Sequence, residues 1–339
     1  MNKTEQGVLH QSKLARWLIH ILLSLTFFLS HPVFSETATD GSPALEINTP
    51  RHHVLIVYSP DSTLHTNVIE NLSDNLKLKY SDIDITKITP EEITPEKITD
   101  AQGDYHDLVI AIGRTGIQSA AVNYPKTKKL FISTDPNKYQ LDPVKNKNDA
   151  ILYMTQPYCR QIRFIKLINP HWKTISVLNS QEKPIDSTTI QQCANNYDFK
   201  LYAVSIATDE NLTNKIKHAL HHSDVLLALP DSNIYNSKTV KNILLTSYRY
   251  RKPIIAFSKN FVNAGALASI NSDTEQIAQS ASHIVEQFFD SGERFINPVN
   301  HPETFNINLN RQVFRALDQI VPDTNKLKQS MQDDSGKSS

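Results

Sequence analysis

Net charge is the first property that this chain lacks. Its 35 lysines and arginines balance its 35 aspartates and glutamates, so the formal charge over 339 residues is zero. This balance argues against a general electrostatic partner, either nucleic acid or an anionic membrane surface. Glycine is also scarce, with eight residues in all, so each glycine in a predicted turn is informative.

Sequence motifs of catalysis and cofactor binding are missing too. The chain has no G-x-S-x-G elbow and no H-E-x-x-H pair. The stretch "DLVIAIGRTGIQSA" (residues 107–120) predicts a strand, a tight turn and a helix, but it matches neither the P-loop nor the dinucleotide fingerprint. The pairs His52-His53 and His221-His222 have no carboxylate at metal-ligand spacing. We therefore expect no catalytic residue, no metal and no cofactor, and we expect that the protein is not an enzyme.

The N-terminal segment predicts export. A polar stretch with Lys3, Lys13 and Arg16 precedes the apolar run "WLIHILLSLTFFLS", which is shorter than the roughly 20 residues that a membrane span needs. Val33 and Ser35 then suit a signal-peptidase site. Residues 1–35 are predicted to be a secretory signal removed after Ser35, with an uncleaved anchor as the alternative. The expected location is periplasmic, with membrane contact only through a permease or an uncleaved signal.

Export affects the redox state expected for the two cysteines and the class of ligand expected for the protein. Cys159 and Cys193 form no zinc motif, and in an oxidising compartment they either pair or remain as two buried thiols. Both interpretations stay open at this point. Nucleotide cofactors are not supplied outside the cytoplasm, so a nucleotide-binding pattern in an exported chain favours a solute binder.

Strand-like and helix-like segments alternate from His52 onward, after a breaker-rich linker over residues 36–51. This alternation predicts βαβ units and mostly parallel sheets, with roughly four strands before residue 150 and five after it. A polar, proline-punctuated break over residues 135–150 favours two sheets of half the size over one large sheet. The polar tail over residues 323–339 is predicted to be disordered.

Short polar residues follow the predicted strands, at the edge where open parallel sheets bind ligands. Helix N-termini at this edge favour an anion, although helix capping explains any single residue more simply. As a set facing one cleft, these residues predict a polar ligand site: Ser59, Asp61, Ser62, Gly113, Arg114, Thr115, Thr134, Asp135, Asn179, Ser180, Asp231 and Ser258. Four tyrosines near strand ends or the presumed hinge either sandwich a ring-bearing ligand or pack in the core: Tyr58, Tyr139, Tyr153 and Tyr158.

Six segments stand in an order that resembles a known family. They are "DLVIAIGRTGIQSA", "LFISTDP", "INPHWKTISVLNS", "VLLALPDSNI", "KPIIAFS" and "AGALASINSDTEQIAQSASHIVEQFF". Over about residues 52–322 the chain is similar to the substrate-binding proteins of ABC transporters, of the type I periplasmic-binding-protein-like class that includes tryptophan and tyrosine binders. The individual motifs are loose, and their order and spacing carry the resemblance.

The resemblance implies an α/β fold of two Rossmann-like lobes with parallel sheets, joined by a multi-strand hinge. Lobe 1 is expected over residues 52–150 plus about 271–303, and lobe 2 over 151–270 plus about 304–322. The strand-end residues named above match the family's ligand-contact positions. The implied function is to clamp a small molecule, an aromatic amino acid or a related organic acid, and to deliver it to ABC permease subunits.

One departure from the family pattern keeps an alternative function open. The loop after the third strand reads Arg114-Thr115-Gly116, where the family has a small residue or proline after its Gly-Thr pair. A charged group at this position narrows the site or favours an anionic ligand. The alternative is a periplasmic sensor or adaptor of the same fold that acts through a protein partner.

Overall fold

The computed structural model describes residues 52–60, 62–94, 106–134, 144–207 and 211–332. The predicted signal (residues 1–35) and linker (residues 36–51) lie outside the described residues, as do Asp61, Asp135 and Tyr139. Within the described residues, no helix combines the length and the apolar character needed to cross a membrane.

Two six-stranded sheets form the framework of the described residues. The strands are β1 His52–Tyr58, β2 Ile83–Ile88, β3 Leu108–Ile112, β4 Lys129–Ser133, β5 Asp149–Tyr153, β6 Thr174–Ser180, β7 Lys200–Ile206, β8 Val225–Leu227, β9 Ile254–Ala256, β10 Ala268–Asn271, β11 Val299–Asn300 and β12 Asn306–Leu309. The first sheet has the order β11-β5-β4-β3-β1-β2, and the second has the order β12-β10-β9-β8-β6-β7. Neighbouring strands run parallel, except that β12 is antiparallel to β10.

Helices follow most of the strands, as right-handed βαβ crossovers require. They are α1 Thr63–Lys79, α2 Arg114–Asn123, α3 Tyr158–Ile168, α4 Ser187–Asn196, α5 Leu212–His221, α6 Val240–Tyr250, α7 Lys259–Ala264, α8 Thr274–Asp290, α9 Arg311–Ala316 and α10 Thr324–Gln332, with a short 3₁₀ turn at Pro90–Glu92. The two sheets and their helices make two lobes, which confirms the predicted fold class.

Continuous apolar runs explain why the central strands form. All five residues of β3 are buried, as is the middle of β1, because each strand of a parallel sheet is covered by helices on both faces. In lobe 1 the late helix α8 packs on α1 and buries Ile277, Ala281 and Val285 in the core beside the first sheet. Helix α8 therefore returns the chain to lobe 1 after the second sheet has formed.

The chain passes between the lobes three times within the described residues. The first crossing is residues 154–157, between β5 and α3, and the second is residues 272–273, between β10 and α8. The third is residues 301–305, between β11 and β12. We call these segments crossings one, two and three, and together they form the hinge.

Two boundaries differ from the sequence predictions. The chain leaves lobe 1 after Tyr153, three residues beyond the expected boundary at 150, because β5 pairs with β4 over its full length. The prediction of a disordered tail is wrong for Thr324–Gln332, which is helix α10. Leu327 and Met331 of this helix are buried in the lobe 2 core, which compensates for its polar composition.

Gly116 allows α2 to pack closely on β1. A Cβ atom at this position would lie 2.7 Å from the Val57 carbonyl oxygen and 3.0 Å from Tyr58 Cα, both of them backbone atoms that cannot rotate away. We expect Gly116→Ala to lower the free energy of unfolding by about 1–3 kcal/mol through overpacking, despite alanine's better helix propensity. Urea denaturation measures this loss. Gly292→Ala is the control without overpacking: nothing lies within 4 Å of the added atom, and at φ +71° only a backbone strain of roughly 1–2 kcal/mol is expected. An unchanged or higher stability for Gly116→Ala would contradict the close packing.

Candidate functional site

A cavity of about 340 Å³ lies between the lobes, beside the hinge. Both sheets contribute to it from the carboxyl ends of their strands. Residues of lobe 1 and of the crossings that line it are Thr134, Tyr153, Thr155, Gln156, Pro157, Val299 and His301. Residues of lobe 2 that line it include Tyr158, Cys159, Leu178, Asn179, Lys183, Pro184, Ile185, Asp186, Thr189, Cys193, Leu229 and Asp231.

An aromatic pair forms the lobe 1 wall of the cavity. The rings of Tyr153 and His301 stack with centroids 4.8 Å apart and planes 15° apart. His301 Nδ1 lies 2.9 Å from the carbonyl oxygen of Thr155 and donates to it. Burial lowers the pKa of His301 below its ordinary 6.5. The hydrogen bond to Thr155 opposes this shift and nearby Arg160 adds to it, so the net shift favours the neutral ring. A flat, uncharged surface of this kind suits an aromatic ligand.

A fixed carboxylate forms the polar wall of lobe 2. Asp231 is 5% exposed, and its Oδ2 accepts hydrogen bonds from the Ser180 backbone N–H at 2.7 Å and from the Ser180 hydroxyl at 2.8 Å. The other oxygen, Oδ1, accepts from the Asn233 backbone N–H at 3.0 Å. These bonds join the end of β6 to the loop after β8. The carboxylate is therefore held in one orientation at the cavity wall.

Three of the predicted site residues line this cavity. They are Thr134 at the end of β4, Asn179 in β6, and Asp231 after β8. Ser180 is placed beside them through its two bonds to Asp231. Asn179 Nδ2 donates to the carbonyl oxygens of Ser180 at 2.9 Å and Lys183 at 3.3 Å, which shapes the loop that follows β6. A role in ligand contact stays a prediction for all four residues.

Ser59, Gly113 and Thr115, which were predicted from the ends of β1 and β3, are not among the residues that line the cavity. Ser59 Oγ accepts from the backbone N–H groups of Thr115 at 3.0 Å and Gly116 at 3.2 Å, and it shares a hydrogen bond with the Thr115 hydroxyl at 2.7 Å. Ser59 thus caps α2 from a neighbouring strand. Gly113, with φ +79°, makes the turn that brings these groups together.

Among the described residues, Arg114, Ser62 and Ser258 also lie outside the cavity lining. Arg114 is exposed in the first turn of α2, and Ser62 occupies the N-cap position of α1 without a side-chain capping bond. Ser258 accepts from the Phe261 backbone N–H at 3.3 Å and caps α7. Tyr58, the last residue of β1, is partly buried beside the lobe 1 core. Capping is therefore the observed role of Ser258.

The rule that ligand residues directly follow strands does not identify the residues of the crossings that line the cavity. Gln156 and His301 lie in crossings one and three, and neither follows a predicted strand directly. Lys183, Asp186 and Thr189 come from the loop after β6 and the first turns of α4. The signal available in the sequence is the position of the predicted hinge, and Tyr153 and Tyr158 were singled out on that basis.

A disulfide joins two of the helices at the cavity. Cys159 of α3 and Cys193 of α4 are bonded, with Cα atoms 4.8 Å apart, and both line the cavity. This decides between the two interpretations that the sequence leaves open. The bond holds the helix that begins directly after crossing one against the helix whose first turns line the cavity.

Removing the disulfide should destabilise lobe 2. For a loop of 34 residues, chain entropy predicts that Cys159→Ser with Cys193→Ser lowers the free energy of unfolding by about 4 kcal/mol. Urea denaturation with and without dithiothreitol measures the effect. The reductant should shift the midpoint of the natural protein and leave that of the double variant unchanged. Equal midpoints for the oxidised protein and the double variant would show that the bond does not stabilise the fold.

The described ranges contain no cluster of three or more His, Cys, Asp or Glu side chains that could hold a metal ion. The titratable groups at the cavity are Asp231, Asp186, Lys183 and His301 together with two tyrosines. They are spread over both lobes and both sides of the cavity. The arrangement offers hydrogen bonds and apolar contact to a small molecule.

Comparison with known proteins gives a family match over most of the chain. Residues 71–331 match the family model described as ABC transporter substrate binding protein. A curated relative, a tyrosine-binding protein of Clostridioides difficile strain R20291, is 23% identical over 273 residues, which cover 78% of this chain and 77% of the relative.

Solved structures share the fold at low sequence identity. An ABC domain from Streptococcus pneumonia in complex with L-Trp is 17% identical, with a TM-score of 0.55 over 82% of this chain and 98% of that chain. The ligand-free, open structure of a substrate binding protein with adhesive properties from Clostridium difficile is 17% identical, with a TM-score of 0.58 over 80% and 96% of the two chains. At this level of identity the likeness shows the two-lobed fold.

Proposed function

Because the chain belongs to the ABC transporter substrate-binding protein family, we propose that it is an exported solute-binding protein that delivers its ligand to an ABC permease. The proposed ligand is an aromatic amino acid or a related small organic acid. The observation that carries the proposal is the cavity between the lobes, with stacked aromatic rings on one wall and a fixed carboxylate on the other. The proposed location is the periplasm, where the predicted signal would send the chain.

The size and lining of the cavity support a ligand of this class. Its volume of about 340 Å³ is at the small end of the range of ligand pockets. Tyr153 and His301 offer a ring-stacking surface, and Leu178, Leu229 and Ile185 are apolar. The names of the relatives, a tyrosine binder and an L-Trp complex, are consistent with an aromatic side chain.

Charges of both signs at the cavity suit a zwitterion. Asp231 would attract the ammonium group of such a ligand, together with Asp186, whose oxygens also accept from Thr189 at the start of α4. Lys183 would attract the ligand's carboxylate. The aromatic wall and the Asp231 wall belong to different lobes, so one ligand contacts both only when the lobes enclose it. The proposed mechanism is a population shift toward the closed state, with no bond made or broken.

A ligand screen tests the proposal. The mature chain, from Glu36, is mixed with L-tryptophan, L-tyrosine, L-phenylalanine and small organic acids, and its thermal unfolding midpoint is recorded. A ligand present at 100 times its dissociation constant stabilises the native state by about 2.7 kcal/mol. We expect a clear shift with an aromatic amino acid, together with compaction in small-angle X-ray scattering.

Two outcomes of the screen would redirect the assignment. No shift with any compound would overturn the proposed ligand class and favour the adaptor function. A shift with an aromatic amino acid but no capture of permease subunits from solubilised membranes would separate ligand binding from delivery. The aliphatic amino acid L-alanine, which has no ring to stack, is the negative control.

A further inference from the structure

Hydrogen bonds tie the three crossings of the hinge to one another. The connected groups are the side chains of Gln156, Arg160 and Ser272 and the carbonyl oxygens of Pro302 and Thr304. Gln156 lies in crossing one, Ser272 in crossing two, and both carbonyl groups in crossing three. Arg160 belongs to the first turn of α3 in lobe 2.

Arg160 links crossing one to crossing three. Its Nη1 donates to Gln156 Oε1 at 2.6 Å and to the Pro302 carbonyl oxygen at 2.8 Å. The guanidinium carbon lies 5.4 Å from the centre of the Phe305 ring, so the planar group is also packed against the end of crossing three. These contacts fix the guanidinium between two chain segments that both run from lobe 1 to lobe 2.

Gln156 is the junction of the network. Its Nε2 donates to Ser272 Oγ at 2.7 Å, and Ser272 Oγ donates to the Thr304 carbonyl oxygen at 2.6 Å. The Gln156 carbonyl oxygen accepts from Gln161 Nε2 at 2.7 Å, so both side-chain polar atoms and the backbone oxygen are bonded. Gln156 is 4% exposed and lines the interlobe cavity.

The network lies between two cavities. Gln156 borders the interlobe cavity, whereas Arg160 borders a second cavity of about 360 Å³ with Asp273 and Glu303. The second cavity is lined by the start of α8 from lobe 1 and by α10 from lobe 2. A change in the angle between the lobes must alter the separation of these two elements.

Hinge motion requires changes of φ and ψ in the crossings, and these bonds restrict such changes. A rotation confined to one crossing would break a bond of about 2.6–2.8 Å to another crossing. The crossings are therefore expected to move together, between a small number of bonded arrangements. A ligand that packs against Gln156 acts on this junction directly.

We infer that Gln156 and Arg160 are positioning residues that couple occupancy of the interlobe cavity to the angle between the lobes. The inference rests on the proposed function for its ligand, but the angle itself can be measured without one. Arg160 bonds to groups of crossings one and three. Gln156 lines the cavity and bonds to Ser272 of crossing two. Loss of Arg160 removes its bond to crossing three, and loss of Gln156 removes the bond between crossings one and two, so each loss loosens the hinge.

Pulsed electron paramagnetic resonance tests the inference in the ligand-free protein. Spin labels are attached at Leu78→Cys in lobe 1, where the side chain is 88% exposed, and at Lys217→Cys, an exposed position of α5 in lobe 2. The native disulfide stays oxidised, so the two introduced cysteines carry the labels. We expect Arg160→Met and Gln156→Ala to broaden the distribution of distances between the labels.

Arg163→Met is the matched control, because Arg163 lies one turn along the same helix. Its guanidinium donates to the carbonyl oxygens of Met331, at 3.2 Å, and Ser330, both in α10 of lobe 2. Both acceptors belong to the same lobe as Arg163, so its loss should leave the distance distribution unchanged. Arg160→Lys, which keeps a charge and a donor for Pro302, should restore part of the natural distribution.

Ligand affinity provides the second readout. If the closed arrangement becomes about tenfold less populated, the dissociation constant of Arg160→Met for L-tryptophan or L-tyrosine rises about tenfold. An unchanged distance distribution in folded Arg160→Met and Gln156→Ala, or equal broadening in Arg163→Met, would overturn the coupling role. If no amino acid binds the natural protein, the proposed ligand class fails, while the distance measurement still decides whether Gln156 and Arg160 restrain the angle between the lobes.

Discussion

The variant Lys129→Met is expected to lose about 3–5 kcal/mol of the free energy of unfolding. Lys129 is 2% exposed, and its Nζ lies 3.0 Å from Asp149 Oδ1. The same ammonium group donates to the carbonyl oxygens of Tyr124 at 3.0 Å and Thr127 at 2.7 Å. Methionine fills a similar volume but leaves the carboxylate and both carbonyl groups without this donor.

The loss should depend on pH through Asp149. Burial raises the pKa of Asp149, while the charge and the hydrogen bond of Lys129 lower it. A carboxyl group whose pKa is raised in the folded state binds more protons there than in the unfolded state, so its contribution to stability falls as pH rises through the window above 3.8. Without Lys129 this window extends to higher pH. The deficit of the variant should therefore be smaller at pH 5 than at pH 8.

Urea denaturation at both pH values measures the effect, and the chain provides two controls. Lys128→Met removes the neighbouring lysine, whose pair with Glu293 at 3.0 Å is partly exposed, and should cost no more than about 1 kcal/mol. The double variant Lys129→Met with Asp149→Leu should recover much of the loss, because no charge is then buried without a partner. Similar losses for Lys128→Met and Lys129→Met would refute the argument.

Asp231→Ala is expected to affect both folding and binding. The substitution removes the acceptor of the buried Ser180 N–H and that of the Asn233 N–H, which we expect to cost about 3 kcal/mol of unfolding free energy in total. Under the proposed function it also removes the carboxylate that attracts the ligand's ammonium group. Loss of about 2 kcal/mol of charge-assisted bonding weakens binding about thirtyfold.

Two further variants separate these effects, with stability measured by urea denaturation and affinity by calorimetry with L-tryptophan and L-tyrosine. Ser258→Ala removes the cap of α7 and should cost about 1 kcal/mol of stability with unchanged affinity. Thr134→Ala acts on the opposite wall and should weaken binding with little loss of stability. If Ser258→Ala weakened binding as much as Asp231→Ala, the cavity described here would not be the ligand site.

The sequence predicts cavity residues best where they directly follow a predicted strand. Thr134, Asn179 and Asp231 line the cavity because the carboxyl ends of parallel strands share one edge of a sheet, and their contact with a ligand stays a prediction. The same rule also selected Ser59 and Ser258, whose hydroxyl groups cap α2 and α7. In the sequence, a hydroxyl residue that contacts a ligand and one that caps a helix occupy the same position, after a strand and before a helix. Only the position of the cavity distinguishes the two roles.

Contacts between residues distant in the sequence account for the features that were missed. Helix α10 has a polar composition, and it is held by burial of Leu327 and Met331 and by Arg163 of α3. The pairing of Cys159 with Cys193 depends on the approach of α3 and α4. Strand β11 has two residues, too few to give a sequence pattern, and it forms by pairing with β5.

The sequence by itself determined the alternation of strands and helices, and with it an α/β fold of two parallel sheets, because apolar runs such as Leu108–Ile112 are stable only when both faces are covered. Only the tertiary structure decided which polar groups face the interlobe cavity and which satisfy a helix end. It also decided that Gln156 and Arg160 meet Ser272 and the carbonyl groups of crossing three. These contacts depend on the relative positions of whole lobes, which no local pattern of residues specifies.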